Sequence, residues 1–225
     1  GVPTGGPKDV TPPNIAKSLP ENFSTNFTGN KIRLKFDEFV QIKNFNNEFV
    51  ISPPLKVKPK YSLSGKTLTI EFDSTLAENT TYSLFFGKSV VDLNEGNVLD
   101  SNTFVFSTGP QLDSLELSGK IVDSNTGLPV SGVMVNLYKN LSDSAPVNTF
   151  PSYFAPSKDG EFRFKNLAGG SYKIFALEDA NNNFLYDLPN EKIAFSNTII
   201  SIPEDSSELS LKVFTPEQTK QRVFK

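Results

Sequence analysis

The sequence predicts an all-β protein built as two tandem antiparallel β-sandwiches. Twenty Phe and no Trp, together with many Val, Ile and Thr, form a composition typical of strands. The 16 Pro and 14 Gly are spread along the chain, where they separate short apolar runs. A chain of 225 residues is also more naturally two domains of about 100 residues than one.

The boundary between the two predicted domains lies at residues 104–110, Phe-Val-Phe-Ser-Thr-Gly-Pro. An alternating strand ends there, turn residues follow, and a second series of strands begins soon after. We therefore predict one sandwich over residues 15–109 and another over residues 110–214. Residues 1–14 are rich in Gly, Pro and Thr and predict a flexible N-terminal tether, and residues 215–225 predict a linker to a further C-terminal region.

Alternation of apolar and polar residues marks the strands of the first domain. Ile32, Leu34 and Phe36 alternate with charged residues and are expected to share one buried face. Similar runs begin at Phe49, Thr67, Thr81 and Thr103. Turn-forming residues between these runs indicate an antiparallel sandwich of six or seven strands.

Six short motifs follow one another in the first domain. They are Thr11-Pro12-Pro13, Phe36-Asp37-Glu38, Ile51-Ser52-Pro53, Leu76 to Tyr82, Val91-Asp92 with Gly96-Asn97, and Phe106 to Gly109. Their order resembles that of bacterial Ig-like domains of the S-layer-protein type, over about residues 8–109. The leader Gly5-Gly6-Pro7-Lys8-Asp9 is similar to the start of Bacteroidota outer-membrane lipoproteins, just after their lipidated Cys. This resemblance implies a lipid-anchored protein of the bacterial outer membrane.

The second domain shows its own pattern. Val133, Val135 and Leu137 alternate as a core face, and Asp159-Gly160 suits a tight hairpin turn. The main motifs are Leu117 to Asp123, Thr126 to Tyr138, Asp159 to Phe164 and Gly170 to Ala176. Their order is similar to that of the carboxypeptidase-regulatory-like, transthyretin-like sandwich, over roughly residues 113–214. Domains of that family are structural or binding modules, so the resemblance implies a chain that is not an enzyme.

The composition excludes several classes of function. The chain has no Cys and no His, which excludes zinc sites built on those ligands, Cys nucleophiles and Ser-His-Asp mechanisms. The net charge is −3: residues 1–109 carry eleven basic and eleven acidic residues, and residues 110–225 carry eleven and fourteen. Neither half has the basic excess that nucleic-acid binding needs, so no nucleic-acid partner is expected.

The strongest candidate site is the Asn-rich segment of residues 179–191. Oxygen-bearing side chains at alternate positions can converge on one hard cation, as in an EF-hand loop. The frame predicts calcium as a cofactor, with ligands from Asp179, Asn181, Asn183, Leu185 through its carbonyl, Asp187 and Glu191. Phe184 departs from the frame at position 6, where Gly is usual, and Glu191 lies one residue beyond position 12. The alternative is a turn whose side chains cap its own backbone.

A weaker copy of this pattern comprises Asp92, Asn94, Gly96 and Asp100, and a hairpin turn explains it equally well. Residues 146–156 are rich in aromatic residues and Pro. If that segment stands off the sandwich, Phe150, Tyr153 and Phe154 would bind a partner protein. If it forms an edge strand, Phe150 and Phe154 would belong to the core instead.

Together, the composition and these resemblances imply a non-enzymatic scaffold or interaction subunit, which the lipoprotein resemblance places at the outer membrane, lipid-anchored and bound to other envelope proteins. It would be a subunit of a complex for secretion or β-barrel assembly. One alternative is a glycan-binding module with an exposed aromatic platform. Its candidates are Tyr61, Tyr82, Tyr138, Tyr153, Tyr172, Tyr186 and Phe residues. The other alternative is a glycosidase, which needs two carboxyl groups about 5 to 10 Å apart.

Overall fold

The computed structural model describes residues 9–100, 103–181, 183–205 and 209–216. These residues form mostly short strands joined by turns, which confirms the predicted all-β class. The chain divides into two compact units, Gly1–Leu112 and Asp113–Lys225. The predicted linker 215–225 lies outside the described residues beyond Pro216.

The described part of the first unit contains nine strands and one short helix. The strands are β1 (Ile15–Leu19), β2 (Lys31–Phe36), β3 (Val40–Ile42), β4 (Val50–Ser52), β5 (Lys60–Ser64), β6 (Thr67–Glu71), β7 (Thr81–Phe85), β8 (Val90–Asp92) and β9 (Thr103–Ser107), and helix α1 spans Phe45–Glu48. Antiparallel pairing orders them as β1-β2-β6-β5 and β4-β7-β9, and β3 pairs with β8.

The core of the first unit follows from the alternation in β2 and β6. Ile32, Leu34 and Phe36 are buried while the residues between them are exposed. On the opposite sheet the buried ring of Phe106 contacts other aromatic rings, with centroid distances of 4.8 Å to Phe27 and 5.5 Å to Tyr82. Removing these side chains from water stabilises the unit by about 2 kcal/mol for each large apolar residue.

Residues 9–14, which belong to the predicted tether 1–14, form hydrogen bonds to the rest of the first unit. The side-chain amide of Asn97 donates to the carbonyls of Asp9 at 3.2 Å and Thr11 at 3.3 Å. The backbone N–H of Asn14 donates to the Asp37 carboxylate at 2.9 Å. Asn97 lies nearly 90 residues from its partners and Asp37 lies 23 residues from Asn14, so the local composition could not reveal these contacts. Residues 1–8 lie outside the described part of the chain.

The described part of the second unit contains eight strands and one short helix. The strands are β10 (Leu115–Asp123), β11 (Met134–Tyr138), β12 (Tyr153–Pro156), β13 (Glu161–Leu167), β14 (Gly170–Leu177), β15 (Ile193–Phe195), β16 (Ile200–Ile202) and β17 (Leu209–Val213), and helix α2 spans Ala145–Asn148. They form one sheet of order β13-β10-β17 and another of order β12-β11-β14-β15, in which β16 also pairs with β14.

The two sheets of the second unit enclose its main core. Val133, Val135 and Leu137, the face predicted from the sequence, are buried there together with Leu117 and Phe162. The pair β10-β17 is parallel, which departs from the purely antiparallel pairing that was predicted. A parallel neighbour requires a long connection, here nearly the whole second unit, and local periodicity carries no signal for it.

A second buried layer lies on the other face of the sheet β12-β11-β14-β15. Tyr138, Phe175 and Leu177 point away from the main core and are nevertheless buried. Two excursions of the chain cover them, residues 139–152 between β11 and β12 and residues 178–192 between β14 and β15. The excursions also bond to each other, because the Tyr186 N–H donates to the Pro146 carbonyl at 2.7 Å. The candidate calcium loop therefore belongs to a packed layer.

Candidate functional site

The candidate calcium loop is organised by the carboxylate of Asp179. One of its oxygens accepts the backbone N–H of Asn183 at 3.2 Å and the other accepts that of Phe184 at 2.7 Å. The side-chain oxygen of Asn183 in turn accepts the N–H of Leu185 at 2.7 Å. Asp and Asn side chains commonly form such bonds to the residues that follow them, and they close the chain into a tight loop.

Phe184 occupies the position at which the calcium-loop pattern calls for glycine. Its φ is +63°, so it has the left-handed conformation that glycine adopts without steric cost. The Phe184 ring packs against Phe154, with centroids 5.1 Å apart, and this contact offsets the backbone strain. The mismatch noted in the sequence is therefore one of residue type and not of backbone geometry.

The remaining predicted ligands fall into two groups. The side-chain amides of Asn181 and Asn183 both donate to the exposed Asp187 carboxylate, at 3.1 and 2.8 Å, so these three residues converge. Glu191 is only 1% exposed and caps backbone N–H groups, those of Ala180 at 3.2 Å and of Asp187 and Leu188 at 3.0 Å. Glu191 is thus a structural residue of the loop, a role that the sequence pattern did not reveal.

Calcium at this loop stays a prediction. In the described ranges no three acidic side chains come together as a metal site, and the carboxylates of Asp179 and Glu191 are occupied by backbone donors. Rotating the amides of Asn181 and Asn183 by 180° would turn both oxygens toward the Asp187 carboxylate, and for Asn183 it would give up the bond from the Leu185 N–H. A cation would need this rotation, because its ligands are oxygen atoms. Without a cation between them, the three oxygen groups would repel one another.

We expect 1 mM calcium to raise the Tm of the second unit by about 10 °C or more relative to excess chelator. Saturation to about 100 times Kd adds about 2.7 kcal/mol, and 1 kcal/mol shifts the Tm of such a domain by about 4 °C or more. Circular dichroism melting is the measurement. Asp187→Ala should remove the calcium effect, whereas Asp159→Ala, in an exposed turn, should keep it. Identical melting curves with calcium and with chelator would leave only a self-capping turn.

The segment that was predicted to bind a partner is divided by the structure. Phe150 is 51% exposed, whereas Tyr153 and Phe154 are 5% and 2% exposed. Because β12 pairs with β11, alternation directs Tyr153 into the main core and Phe154 against the calcium loop. Tyr153 and Phe154 are therefore interior residues and cannot anchor a partner. For Phe154 this is the position that the edge-strand alternative predicted. Phe150 alone of the three lies at the surface.

The surroundings of two carboxyl groups in the first unit, those of Asp92 and Glu38, shift their pKa values. The buried Asp92 carboxylate accepts the N–H groups of Glu95, Gly96 and Asn97 at 2.6, 2.9 and 2.7 Å. Burial tends to raise the pKa of Asp92, but the backbone N–H groups of the turn outweigh it and lower that pKa to about 2. Partial desolvation, and then the nearby carboxylates of Asp92 and Asp37, raise the pKa of Glu38. The weaker calcium-like pattern at Asp92 is thus a capped turn.

Among the described residues, the Tyr side chains offer the glycan-binding alternative little exposed surface, whereas Phe23, Phe39 and Phe195 are exposed by 58%, 54% and 44%. Tyr82, Tyr138, Tyr153 and Tyr172 are buried and Tyr186 is partly buried against the outer layer, so of the six Tyr only Tyr61 is exposed, at 43%. A cleft of about 390 Å³ lies along β1 and the start of β9. Glu21 is the sole acid among its lining residues, whereas a glycosidase cleft needs two.

Comparison with known proteins identifies the first unit only. Residues 9–108 match the family model described as bacterial Ig-like domain. No curated protein is similar enough in sequence to count as a relative. Among the described residues, no helix is both long and apolar enough to cross a membrane.

Similar solved structures are distant. An L,D-transpeptidase from Mycobacterium smegmatis aligns with a TM-score of 0.31 and 11% identity, covering 56% of this chain and 61% of that one. The N-terminal part of the bacterial S-layer protein SbsC gives 0.31 and 14%, covering 84% and 43%. The major pilin subunit BcpA of Bacillus cereus gives 0.28 and 11%, covering 86% and 67%.

Scores this low carry no argument about activity, and the chain spans less than two thirds of the first two proteins. The identification therefore rests on the family match alone. Over residues 9–108, somewhat less than half of its length, the chain is similar to the bacterial Ig-like domain family.

Proposed function

We propose that this chain is a non-enzymatic module of the bacterial cell envelope, anchored at the outer membrane by an N-terminal lipid, that works by binding other envelope proteins. The proposal is supported by the hydrogen bonds that three carboxylates of the chain accept. Asp92, Asp179 and Glu191 are each bound to backbone N–H groups of their own loops. A general acid or base must instead face a substrate, so these groups serve the fold.

An exposed apolar surface on the second unit supports partner binding. Leu141, Val147 and Phe150 are 40%, 52% and 51% exposed, and all three belong to the excursion 139–152. Ala145 and Pro146 belong to the same excursion, and their burial holds it in place. Exposed aliphatic and aromatic side chains on a rigid support are typical of protein interfaces. This excursion is therefore the proposed partner surface.

The finer parts of the proposal come from resemblance. The second unit is proposed to be a carboxypeptidase-regulatory-like sandwich, and its two sheets around one core support this. The lipid anchor is proposed from the leader Gly5-Gly6-Pro7-Lys8-Asp9. The complex that it joins is proposed to be one for secretion or β-barrel assembly, because the lipoproteins that its leader resembles lie in the outer membrane.

Affinity purification from the native membrane tests the proposal. A tagged copy of the natural protein is expressed in its own organism, extracted in mild detergent, and its co-purifying proteins are identified by mass spectrometry. We expect one or more outer-membrane proteins in a fixed ratio, lost when Val147 and Phe150 are both replaced by Ser. The matched control replaces the exposed Val57 and Leu63 of the first unit by Ser. Recovery of the protein alone would overturn the proposal.

A further inference from the structure

The outer face of the sheet β1-β2-β6-β5 carries a group of cations. In β2 the residues between the buried ones point to solvent, and the register of neighbouring strands adds cations to the same face. We call this surface the basic face, comprising Lys17, Lys31, Arg33, Lys35 and Lys60. All five side chains are exposed. The first half of the chain carries equal numbers of acidic and basic residues, so this concentration of cations reflects placement and not composition.

Acidic residues neutralise only part of the basic face. Lys31 pairs with Glu71 at 3.1 Å, and Lys60 pairs with Asp73 at 2.7 Å. For Lys17, Arg33 and Lys35, no acid in the described part of the chain lies within ion-pair distance. Lys17 is also directly opposite Lys35 in the β1-β2 register. Like charges in such a cross-strand pair destabilise a sheet, so the fold tolerates a cost here.

The outer face of the sheet β13-β10-β17 in the second unit matches two of its cations with acids. On the sheet β13-β10-β17, Arg163 binds the Glu116 carboxylate through two nitrogens at 3.1 and 2.7 Å. Lys120 lies opposite Glu161 in the same register. Opposite charges face each other there, as in an ordinary solvated sheet surface. Lys165 and Lys212 are exposed on that sheet without a matching acid in the described ranges, so what marks the basic face is the like-charge pair Lys17-Lys35 with Arg33 beside it.

An apolar side chain lies on the same surface. Leu19 is 61% exposed and stands opposite Arg33 in the β1-β2 register, so both project from the outer face. A soluble polyanion or an acidic protein loop gains little from an exposed Leu beside the cations. A lipid surface offers anionic headgroups and, just beneath them, an apolar layer.

We propose that the basic face docks on an anionic lipid bilayer. Four strands spaced about 4.8 Å apart make a broad, gently twisted surface that can meet a membrane plane. Lys17, Arg33 and Lys35 would lie among negatively charged headgroups, and Leu19 would enter the boundary of the acyl layer. The proposal goes beyond partner binding and does not require the lipid anchor. It is therefore tested on the 225-residue chain without a lipid.

Vesicle co-sedimentation tests the proposal. The probes are vesicles of phosphatidylcholine alone and vesicles with about 30% phosphatidylglycerol. We expect at least a hundredfold stronger partition to the anionic vesicles in about 0.05 M salt, and loss of that preference near 0.5 M, where screening is strong. Lys17→Gln, Arg33→Gln and Lys35→Gln together should weaken partition about a hundredfold, because each cation near such a surface contributes about a factor of five. Leu19→Ser should weaken it about tenfold.

The matched control replaces Lys158, Lys165 and Lys212, which are exposed on the second unit, by Gln. It removes the same charge and should weaken partition no more than about twofold. The triple Gln variant of the basic face should melt no lower than the parent, since it relieves the Lys17-Lys35 repulsion, and a folded variant keeps the comparison decisive. Equal losses in both triple variants would overturn the proposal. So would binding of polyglutamate in preference to anionic vesicles, which would assign the face to an acidic protein.

Discussion

Replacing Glu191 by Ala is expected to lower the free energy of unfolding of the second unit by about 3 to 5 kcal/mol. The Glu191 carboxylate is buried and accepts three backbone N–H groups, two of them at 3.0 Å. Removing it leaves those donors without partners in a packed layer, and each such donor costs about 1 to 3 kcal/mol. The excursion 178–192 would then detach from the sheet and expose the second buried layer of Tyr138, Phe175 and Leu177.

Hydrogen exchange followed by mass spectrometry measures this effect for each unit separately. Peptides of the second unit should exchange faster in Glu191→Ala, while those of the first unit serve as an internal reference. Glu191→Gln keeps one acceptor oxygen and should cost less. Glu161→Ala removes an exposed acid from the same unit and should change stability by about 0.5 kcal/mol or less. Unchanged exchange in Glu191→Ala would show that the loop does not depend on this carboxylate.

Replacing Gly119 by Ala is expected to destabilise the second unit by about 3 kcal/mol. A Cβ at this position would lie 2.5 Å from the Leu209 carbonyl oxygen and 2.5 Å from the Phe162 ring. Backbone on one side and a buried ring on the other leave no room for a shift. The parallel pair β10-β17 would have to separate, and with it one edge of the main core.

Urea unfolding of Gly119→Ala beside Gly169→Ala provides the measurement. Gly169 also lies in the second unit, but a Cβ there would meet its nearest atoms at 3.4 and 3.6 Å, which is ordinary contact. Neither glycine needs a left-handed backbone, so the two substitutions differ in available space alone. We expect a clear loss for Gly119→Ala and little change for Gly169→Ala. Equal midpoints would mean that β10 and β17 are not packed as closely as described.

Local patterns predicted much of the fold. Alternation located β2 and the buried residues Ile32, Leu34 and Phe36 because one face of an antiparallel sheet meets the core. The Asp159-Gly160 turn is confirmed: both residues have positive φ, and Lys158 and Glu161 exchange backbone hydrogen bonds at 2.9 Å. Strand β5 was missed, because all five of its residues are exposed and no buried face produces a periodic signal.

The candidate site was predictable only in outline. Spacing brought Asn181, Asn183 and Asp187 together, since alternate side chains of a tight loop point inward. The capping role of Glu191 was missed because the ligand pattern read its carboxylate as facing a cation, whereas it turns inward to the N–H groups of Ala180, Asp187 and Leu188. The interior position of Phe154 could not be decided from the sequence. An aromatic, Pro-rich segment looks alike whether its rings face solvent or a neighbouring loop.

The claim on which the account depends is that this chain acts by contact with other envelope proteins. The most direct test is the mass and stoichiometry of the native particle in mild detergent, measured by light scattering during size-exclusion chromatography. The account predicts a particle well above the mass of the chain itself, containing a second envelope protein in fixed ratio. A particle that contains only this protein and its detergent would contradict it.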